Sequence, residues 1–150
     1  MADLKIYMAS KMRHAPLLQR LYLAKPEVHF TNRWIWLEGN VPDSAKYAKH
    51  FWLDDLTDVA AADAVVLYGE PEDVLRGALV EAGGALMAGK RVVVVGENPG
   101  YGTWQHHPMV SQAPNIECAI RTLMPNPCIE KNMRREPPGW FFGCEDKDGR

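Results

Sequence analysis

Two short β-branched segments on either side of a small-residue segment constrain the fold of this chain most. Residues 64–68 (AVVLY) and 91–95 (RVVVV) are apolar without alternation, as in strands that are buried on both faces of a parallel sheet. Between them, Glu72 and Asp73 predict the first turn of a helix, and Gly89-Lys90 predicts its end. The sequence therefore predicts an α/β fold, a three-layer sandwich with a central parallel sheet of the Rossmann or flavodoxin-like kind.

The rest of the chain is predicted to add elements to the same sheet. Strands are predicted at residues 4–9 and 28–31, and helices at 17–24, from Asp43 or Ser44 to about Ala62, and at 115–123. Within the second of these helices, Asp54 and Asp58 are expected to be solvent-facing. Residues 1–124 are interpreted as one domain. Residues 125–150, with four Pro and an aromatic triplet, are expected to form an irregular tail packed on the domain or on a partner subunit.

Composition excludes several classes of function. With 150 residues and a net charge of -2, the chain is not expected to bind nucleic-acid polymers or anionic membranes, and no stretch has the apolar length of a membrane span. Lys5 and the basic run at 11–14 argue against a signal peptide, and three unpaired Cys favour a reducing cytoplasm. The His and Cys residues lack metal-ligand spacing, so no metal is expected.

Glu81 is the carboxylate that the sequence singles out. It lies at the edge of the apolar stripe of the predicted helix, and its neighbours one turn away are Gly77, Ala78, Gly84 and Ala85. No Lys or Arg is spaced to pair with it along the helix, so its replacement is expected to leave stability almost unchanged. Two interpretations remain open from this chemistry, a carboxylate that faces a ligand and an ordinary solvated helix residue.

Several segments together carry a resemblance to a known family. Residues 77–85 (GALVEAGGA) and 89–92 (GKRV) resemble the signature helix of the nucleoside 2-deoxyribosyltransferase superfamily, which includes N-deoxyribosyltransferases and nucleotide N-glycoside hydrolases. Residues 5–10 (KIYMAS) resemble its first strand and loop, and residues 55–58 (DLTD) and 62–66 (ADAVV) resemble its helix and third strand. The resemblance covers most of the predicted domain.

The resemblance implies an activity. Glu81 would be the nucleophile that displaces the base of a 2'-deoxynucleoside, and the deoxyribosyl group would pass from it to another base. Asp55 would face the sugar pocket, and Asp63 would start the strand beneath it. Asp55, Asp63 or a group of the C-terminal tail would give a proton to the leaving base, directly or through water. The partners implied are a nucleoside or nucleotide, a free base and a second copy of the chain in a homodimer or higher oligomer. No cofactor is implied.

Two alternatives to this activity remain. One is hydrolysis of a (deoxy)nucleoside 5'-monophosphate, and the other is a non-catalytic nucleotide-binding module. The family often carries an acidic residue six positions before the nucleophile, where this chain has Leu75. Asp73 or Glu72 would have to substitute for it.

Loops at the carboxyl ends of the strands are expected to hold the substrate, as in other open parallel sheets. The candidate substrate-binding residues are Tyr7, Ser10, Arg13, His14, Asp73, Gly77, Ala78 and Asn98. Arg13 and His14 would contact a 5'-phosphate, although a solvated basic loop is the alternative for them. Trp34 and Trp36 are interpreted as core or subunit contacts, with one of them covering a base as the alternative.

Overall fold

The sheet contains five parallel strands in the order β2-β1-β3-β4-β5. The computed structural model describes residues 3–37 and 45–124. The strands are β1 (Lys5–Ala9), β2 (His29–Phe30), β3 (Ala64–Tyr68), β4 (Arg91–Val95) and β5 (Val110–Ala113), and the helices are α1 (Ala15–Ala24), α2 (Ala45–Ala61), α3 (Gly77–Met87) and α4 (Ile116–Leu123). Short 3-10 turns occupy Met12–His14, Trp34–Trp36, Pro99–Tyr101 and Thr103–His106.

The strand order confirms the predicted fold class. Tyr7 of β1 pairs with Val65 of β3, and Val65 pairs in turn with Val92 of β4, so the three central strands are in parallel register. The chain reverses direction across the sheet between β1 and β3, because β2 lies outside β1 while β4 and β5 follow β3. In open parallel sheets, ligands bind at this kind of switch point.

Helices cover both faces of the sheet. On one face α3 packs on β1, β3 and β4, and α2 packs on β1 and against α3. On the other face α4 packs on β3, β4 and β5, and an ion pair of 2.8 Å between Lys25 and Glu117 joins it to the end of α1. Apart from the exposed Arg91 and the half-buried Tyr68, the side chains of β3 and β4 are buried between these layers, which explains why their apolar residues show no alternation.

Two details differ from the sequence prediction. The helix of Glu81 begins at Gly77, so the prediction that Glu72 and Asp73 form its first turn is wrong. These residues belong to a turn in which the Asp73 amide donates to the Glu70 carbonyl and the Asp73 carboxylate accepts from the Glu70 amide. The strand β5 was not predicted, because its four residues VSQA include two polar side chains at the sheet edge.

Other predictions fall outside the described ranges. Residues 125–150 lie beyond them, so their predicted tail is not described, and the same holds for the predicted helix cap at Asp43 or Ser44. Within residues 3–37 and 45–124, no helix combines the length and apolarity that crossing a membrane requires.

Candidate active site

A cleft of about 630 Å³ opens at the switch point between β1 and β3. The loops that follow these two strands and the facing ends of α2 and α3 form its walls. The lining residues are Ser10, Lys11 and Met12 after β1, Val74, Leu75 and Arg76 after β3, Gly77, Ala78 and Glu81 on α3, Trp52 and Asp55 on α2, and Trp34. The cleft therefore contains two carboxylates, two cationic side chains and two indoles.

Close packing of α2 against α3 brings the two carboxylates into this cleft. A Cβ atom placed on Gly77 would lie 3.3 Å from the Trp52 ring, and one placed on Gly84 would lie 3.6 Å from Leu56. Trp52, Asp55 and Leu56 share one face of α2 because they are three and four residues apart. Glu81 lies between Gly77 and Gly84 on the facing side of α3, so small residues on α3 let Asp55 and Glu81 approach each other.

Burial decides between the two interpretations of Glu81. This residue is only 6% exposed, so it is not an ordinary solvated helix residue. Burial raises the pKa of Glu81, the Tyr7 hydroxyl opposes this effect, the Asp55 charge adds to it, and the net value is about 7. Glu81 therefore exchanges its proton near neutral pH, as groups that transfer protons or form covalent intermediates commonly do.

The second carboxylate is perturbed in the same direction. Burial, followed by the Asp58 and Asp54 charges, raises the pKa of Asp55, Arg33 opposes these effects, and the net value is about 6. Both carboxyl groups of the cleft therefore have pKa values close to neutral pH.

Tyr7 projects from β1 toward this pair. Its side chain is fully buried, and its hydroxyl makes no hydrogen bond of standard geometry with any described residue, although it lies close enough to Glu81 to interact with the carboxylate. Burial, followed by the charges of Glu81 and Asp55, raises the pKa of Tyr7 far above its usual range. Tyr7 therefore keeps its proton and can only donate to Glu81.

Arg13 and His14 are held by acidic side chains outside the cleft. The Arg13 guanidinium donates to Asp73 at 2.8 Å and to Glu70 at 2.7 Å, and His14 Nε2 lies 2.6 Å from the other Asp73 oxygen. Arg13 also contacts Glu72. We call these residues the loop clasp: Arg13, His14, Glu70, Glu72 and Asp73. The clasp joins the loop after β1 to the loop after β3, and none of its members lines the cleft.

The loop clasp also contains the one group of potential metal ligands among the described residues. Ligand atoms of His14, Glu70 and Asp73 lie within 4.8 Å of one another. However, both Asp73 oxygens and one Glu70 oxygen already pair with Arg13 and His14. We therefore interpret the group as a clasp between loops.

Replacing Asp73 with Asn is expected to destabilise the fold by about 2–3 kcal/mol at pH 7, because a buried carboxylate would no longer pair with Arg13 and His14. Arg13 holds the pKa of Asp73 well below its usual range. The stabilisation is therefore present above the unfolded pKa, near 4, and is lost as the pH falls through the folded pKa. Urea denaturation at pH 7 and below pH 4 measures the difference.

The matched control for this variant is Glu72→Gln, which removes an exposed partner of the same Arg13 side chain. It is expected to leave the free energy of unfolding nearly unchanged, because exposed ion pairs contribute little to stability. Equal losses in the two variants would show that Asp73 has no special place in the clasp.

Three further carboxylates and amides serve the fold. Asp63 lies at the amino end of β3, where its carboxylate accepts from the Lys5 amide at 2.9 Å, and it does not line the cleft. Asn98 accepts from the Gly100 amide at 3.0 Å and caps a short turn after β4, also outside the cleft. The expectation of a solvent-facing Asp58 is wrong, because this buried side chain accepts from the amide and guanidinium of Arg33 at 3.0 Å.

Only some of the site residues that were predicted from the sequence line the cleft. It brings together Glu81, Asp55, Ser10, Gly77 and Ala78, and Ser10 is fixed there because its hydroxyl donates to the Tyr68 carbonyl at 2.7 Å. Asp63, Arg13, His14, Asp73 and Asn98 lie outside the cleft lining.

Sequence reasoning missed Trp52 and Arg76 as cleft residues. The spacing of Trp52, one helical turn before Asp55, was the available signal for it. Arg76 precedes the true start of α3, so the misplaced helix boundary concealed its position.

Comparisons with known proteins support the fold. No protein-family model and no curated protein matches the sequence. Among solved structures, a conserved protein from Enterococcus faecalis V583 is similar, with a TM-score of 0.50 and 21% identity over 70% of this chain and 71% of that chain. The CMP N-glycosidase BcmB of Clostridium botulinum aligns with a TM-score of 0.49 and 12% identity, over 79% of this chain and 97% of that chain.

At these identities the likeness to the first neighbour establishes an α/β fold with a five-stranded parallel sheet between helices. The activity has to be argued from the cleft itself.

Proposed function

We propose that this chain cleaves the N-glycosidic bond of a 2'-deoxynucleoside and transfers the deoxyribosyl group to another base through a covalent intermediate on Glu81. The observation that carries the proposal is a buried glutamate that lines a cleft of about 630 Å³ and has a second carboxylate beside it. Retaining cleavage of glycosidic bonds uses two carboxyl groups in one site, one as nucleophile and one as proton donor.

The first step forms one bond and breaks another. An oxygen of ionised Glu81 bonds to the anomeric carbon while the bond from that carbon to the base nitrogen breaks, and the electron pair of the broken bond stays on the base. The sugar carries positive charge in the transition state, which the carboxylate stabilises before it bonds. With a pKa of about 7, roughly half of Glu81 is ionised at neutral pH and can act as the nucleophile.

Asp55 is suited to protonate the departing base. Its pKa of about 6 leaves a fraction of the side chain protonated near neutrality, and it lines the cleft together with Glu81. In the second step, a nitrogen of the acceptor base attacks the same carbon and displaces Glu81, while the acceptor returns a proton to Asp55. Water in place of the acceptor base would give hydrolysis.

Tyr7 is suited to position the nucleophile. Its hydroxyl keeps its proton because burial and nearby carboxylates raise the pKa of Tyr7. A hydrogen bond donated to one Glu81 oxygen would leave the other oxygen free for the sugar. Tyr7 does not line the cleft, so we assign it to positioning and not to substrate contact.

Hydrolysis of a nucleoside 5'-monophosphate is a second candidate function, and the cations of the cleft favour it. Lys11 and Arg76 line the same cleft as Glu81, although Lys11 Nζ also lies 3.7 Å from Asp73. Arg13 and His14 belong to the loop clasp and do not line the cleft. A phosphate in the cleft would therefore meet Lys11 and Arg76 in place of the pair expected from the sequence. A non-catalytic nucleotide-binding module would need the same cleft but not the Glu81 and Asp55 pair.

One incubation separates these functions. The protein is mixed with each of the four 2'-deoxynucleosides or their 5'-monophosphates, with and without a free acceptor base, and the products are separated by chromatography. Transfer yields a new nucleoside only when the acceptor is present, and hydrolysis yields free base in either case. Absence of base release from all eight substrates would contradict both enzymatic proposals and leave the binding module.

A further inference from the structure

We infer that Trp52 is the surface on which the aromatic base of the substrate stacks, so that this residue sets the affinity for the base. The inference rests on the proposed function, because it assigns the base to one wall of the proposed active site. It concerns a residue that the sequence pattern did not single out. General chemistry supports it, since every nucleobase has a flat π face that stacks on an aromatic side chain whatever its hydrogen-bonding pattern.

Exposure separates Trp52 from the other tryptophans near the cleft. Trp52 is 36% exposed and lines the cleft. Trp34 also lines it but is only 5% exposed, and its indole nitrogen donates to the Met8 carbonyl at 3.1 Å, which fixes the ring in the core. Trp36 is 53% exposed but packs edge-on to Tyr22 and does not line the cleft. Of these three indoles, only Trp52 is both solvent-exposed and part of the cleft lining.

The position of the indole relative to the carboxylates fits a base joined to a sugar. Trp52 lies one helical turn before Asp55 on α2, and its ring contacts Gly77, which lies one turn before Glu81 on α3. One turn rises about 5.4 Å along a helix axis, so the indole lies within the length of one nucleoside of both carboxylates. A base on the indole would place its sugar beside Glu81 and Asp55.

Gly77 keeps the indole in this place. The Trp52 ring approaches so closely that a Cβ atom on residue 77 would lie 3.3 Å from it, whereas one on Gly84 would lie 3.6 Å from Leu56 in ordinary contact. Lack of a side chain at residue 77 thus lets the ring lie against the start of α3. A methyl group there would force the ring to shift by a few tenths of an ångström.

The test measures binding separately from turnover. In the full chain carrying Glu81→Gln, binding of each of the four 2'-deoxynucleoside 5'-monophosphates is measured by calorimetry, with 2-deoxyribose 5-phosphate as the matched ligand without a base. Adding Trp52→Leu is expected to weaken nucleotide binding by about tenfold to a hundredfold while leaving sugar-phosphate binding unchanged. Adding Trp52→Phe, which keeps a flat ring, is expected to restore most of the affinity.

Two controls complete the design. Trp36→Leu removes a more exposed indole outside the cleft and is expected to leave nucleotide binding unchanged. Gly77→Ala is expected to weaken nucleotide binding more than Gly84→Ala, although both changes replace a helix glycine with alanine. Thermal unfolding of each variant shows whether the fold is retained.

Three results would overturn the inference. Trp52→Leu could weaken the binding of nucleotides and of 2-deoxyribose 5-phosphate equally, or it could leave nucleotide binding unchanged. The third result is that the chain shows no saturable nucleotide binding at all. Turnover by the wild-type chain decides the proposed function independently. A base-dependent affinity that requires Trp52 without any turnover would contradict only the enzymatic proposal, and turnover with an unaffected Trp52→Leu variant would contradict only the stacking surface.

Discussion

Replacing Glu81 with Gln is expected to lower the rate of base release by at least about 10³-fold, because the amide cannot form the covalent intermediate. The side chain keeps its size and its place between α2 and α3, so the substrate should still bind. Rates with the most active nucleoside or nucleotide, measured under single turnover, test this expectation. Glu97→Gln is the matched control, since this exposed residue follows β4 and does not line the cleft.

The same variant is expected to be more stable than the wild type at high pH. Burial raises the pKa of Glu81 from 4.5 to about 7, so the folded chain binds a proton more tightly than the unfolded chain does. The wild type therefore loses stability as the pH rises from about 4.5 through about 7, by up to about 3 kcal/mol, whereas the glutamine of the variant has no proton to lose. Sequence spacing alone predicted almost no effect on stability, and burial between two helices is the reason for the revision.

Urea denaturation at pH 5 and at pH 8 measures this difference. The stability of Glu81→Gln relative to the wild type should increase between these two values. A difference that does not change with pH would show that Glu81 is solvated in the folded protein. Turnover close to that of the wild type would end its assignment as nucleophile, whatever the stability.

Replacing Asp55 with Asn is expected to lower the rate of base release by about 10²–10⁴-fold, because the departing base would lose its proton donor. The wild type should show a bell-shaped dependence of kcat/KM on pH, with limbs near about 6 and about 7, the pKa values of the two carboxyl groups. One limb requires an ionised Glu81 and the other a protonated Asp55. Asp55→Asn should therefore lose the limb at high pH.

The neighbouring Asp54 provides the control for this variant. Its exposed carboxylate lies 3.4 Å from Arg33 and does not line the cleft, so Asp54→Asn should change the rate by less than about threefold. If a substrate with a highly acidic leaving base is cleaved equally well by wild type and Asp55→Asn, the proton-donor role is supported. If the profile of kcat/KM for Asp55→Asn keeps its limb at high pH, a group other than Asp55 gives the proton to the departing base.

Buried strands were the most predictable part of this fold. Residues 64–68 and 91–95 were assigned to their observed bounds, because a β-branched apolar run between turn residues has few other uses. The start of α3 was misplaced, since Glu72 and Asp73 satisfy the same rules whether they begin a helix or a turn before it. The contact of Asp73 with Arg13, 60 residues away in sequence, selects the turn, and local patterns do not contain that contact.

Within the candidate site, the sequence identified the carboxylates better than their surroundings. Glu81 stood out by the small residues around it, and the resemblance added Asp55. Arg13 and His14 were predicted to contact the substrate because basic residues after a first strand often bind anions. In the folded chain they pair with Glu70 and Asp73, which are distant in sequence. The expected homodimer or higher oligomer stays a prediction.

Trapping the covalent intermediate tests the central claim most directly. The wild-type chain is incubated with a 2-fluoro sugar analogue of the nucleoside that it cleaves, because fluorine slows the breakdown of a glycosyl-enzyme. After protease digestion, mass spectrometry is expected to find one added sugar on the peptide that contains Glu81 and none on the same peptide from Glu81→Gln. Base release from the analogue without an adduct, or an adduct on another residue, would contradict the account.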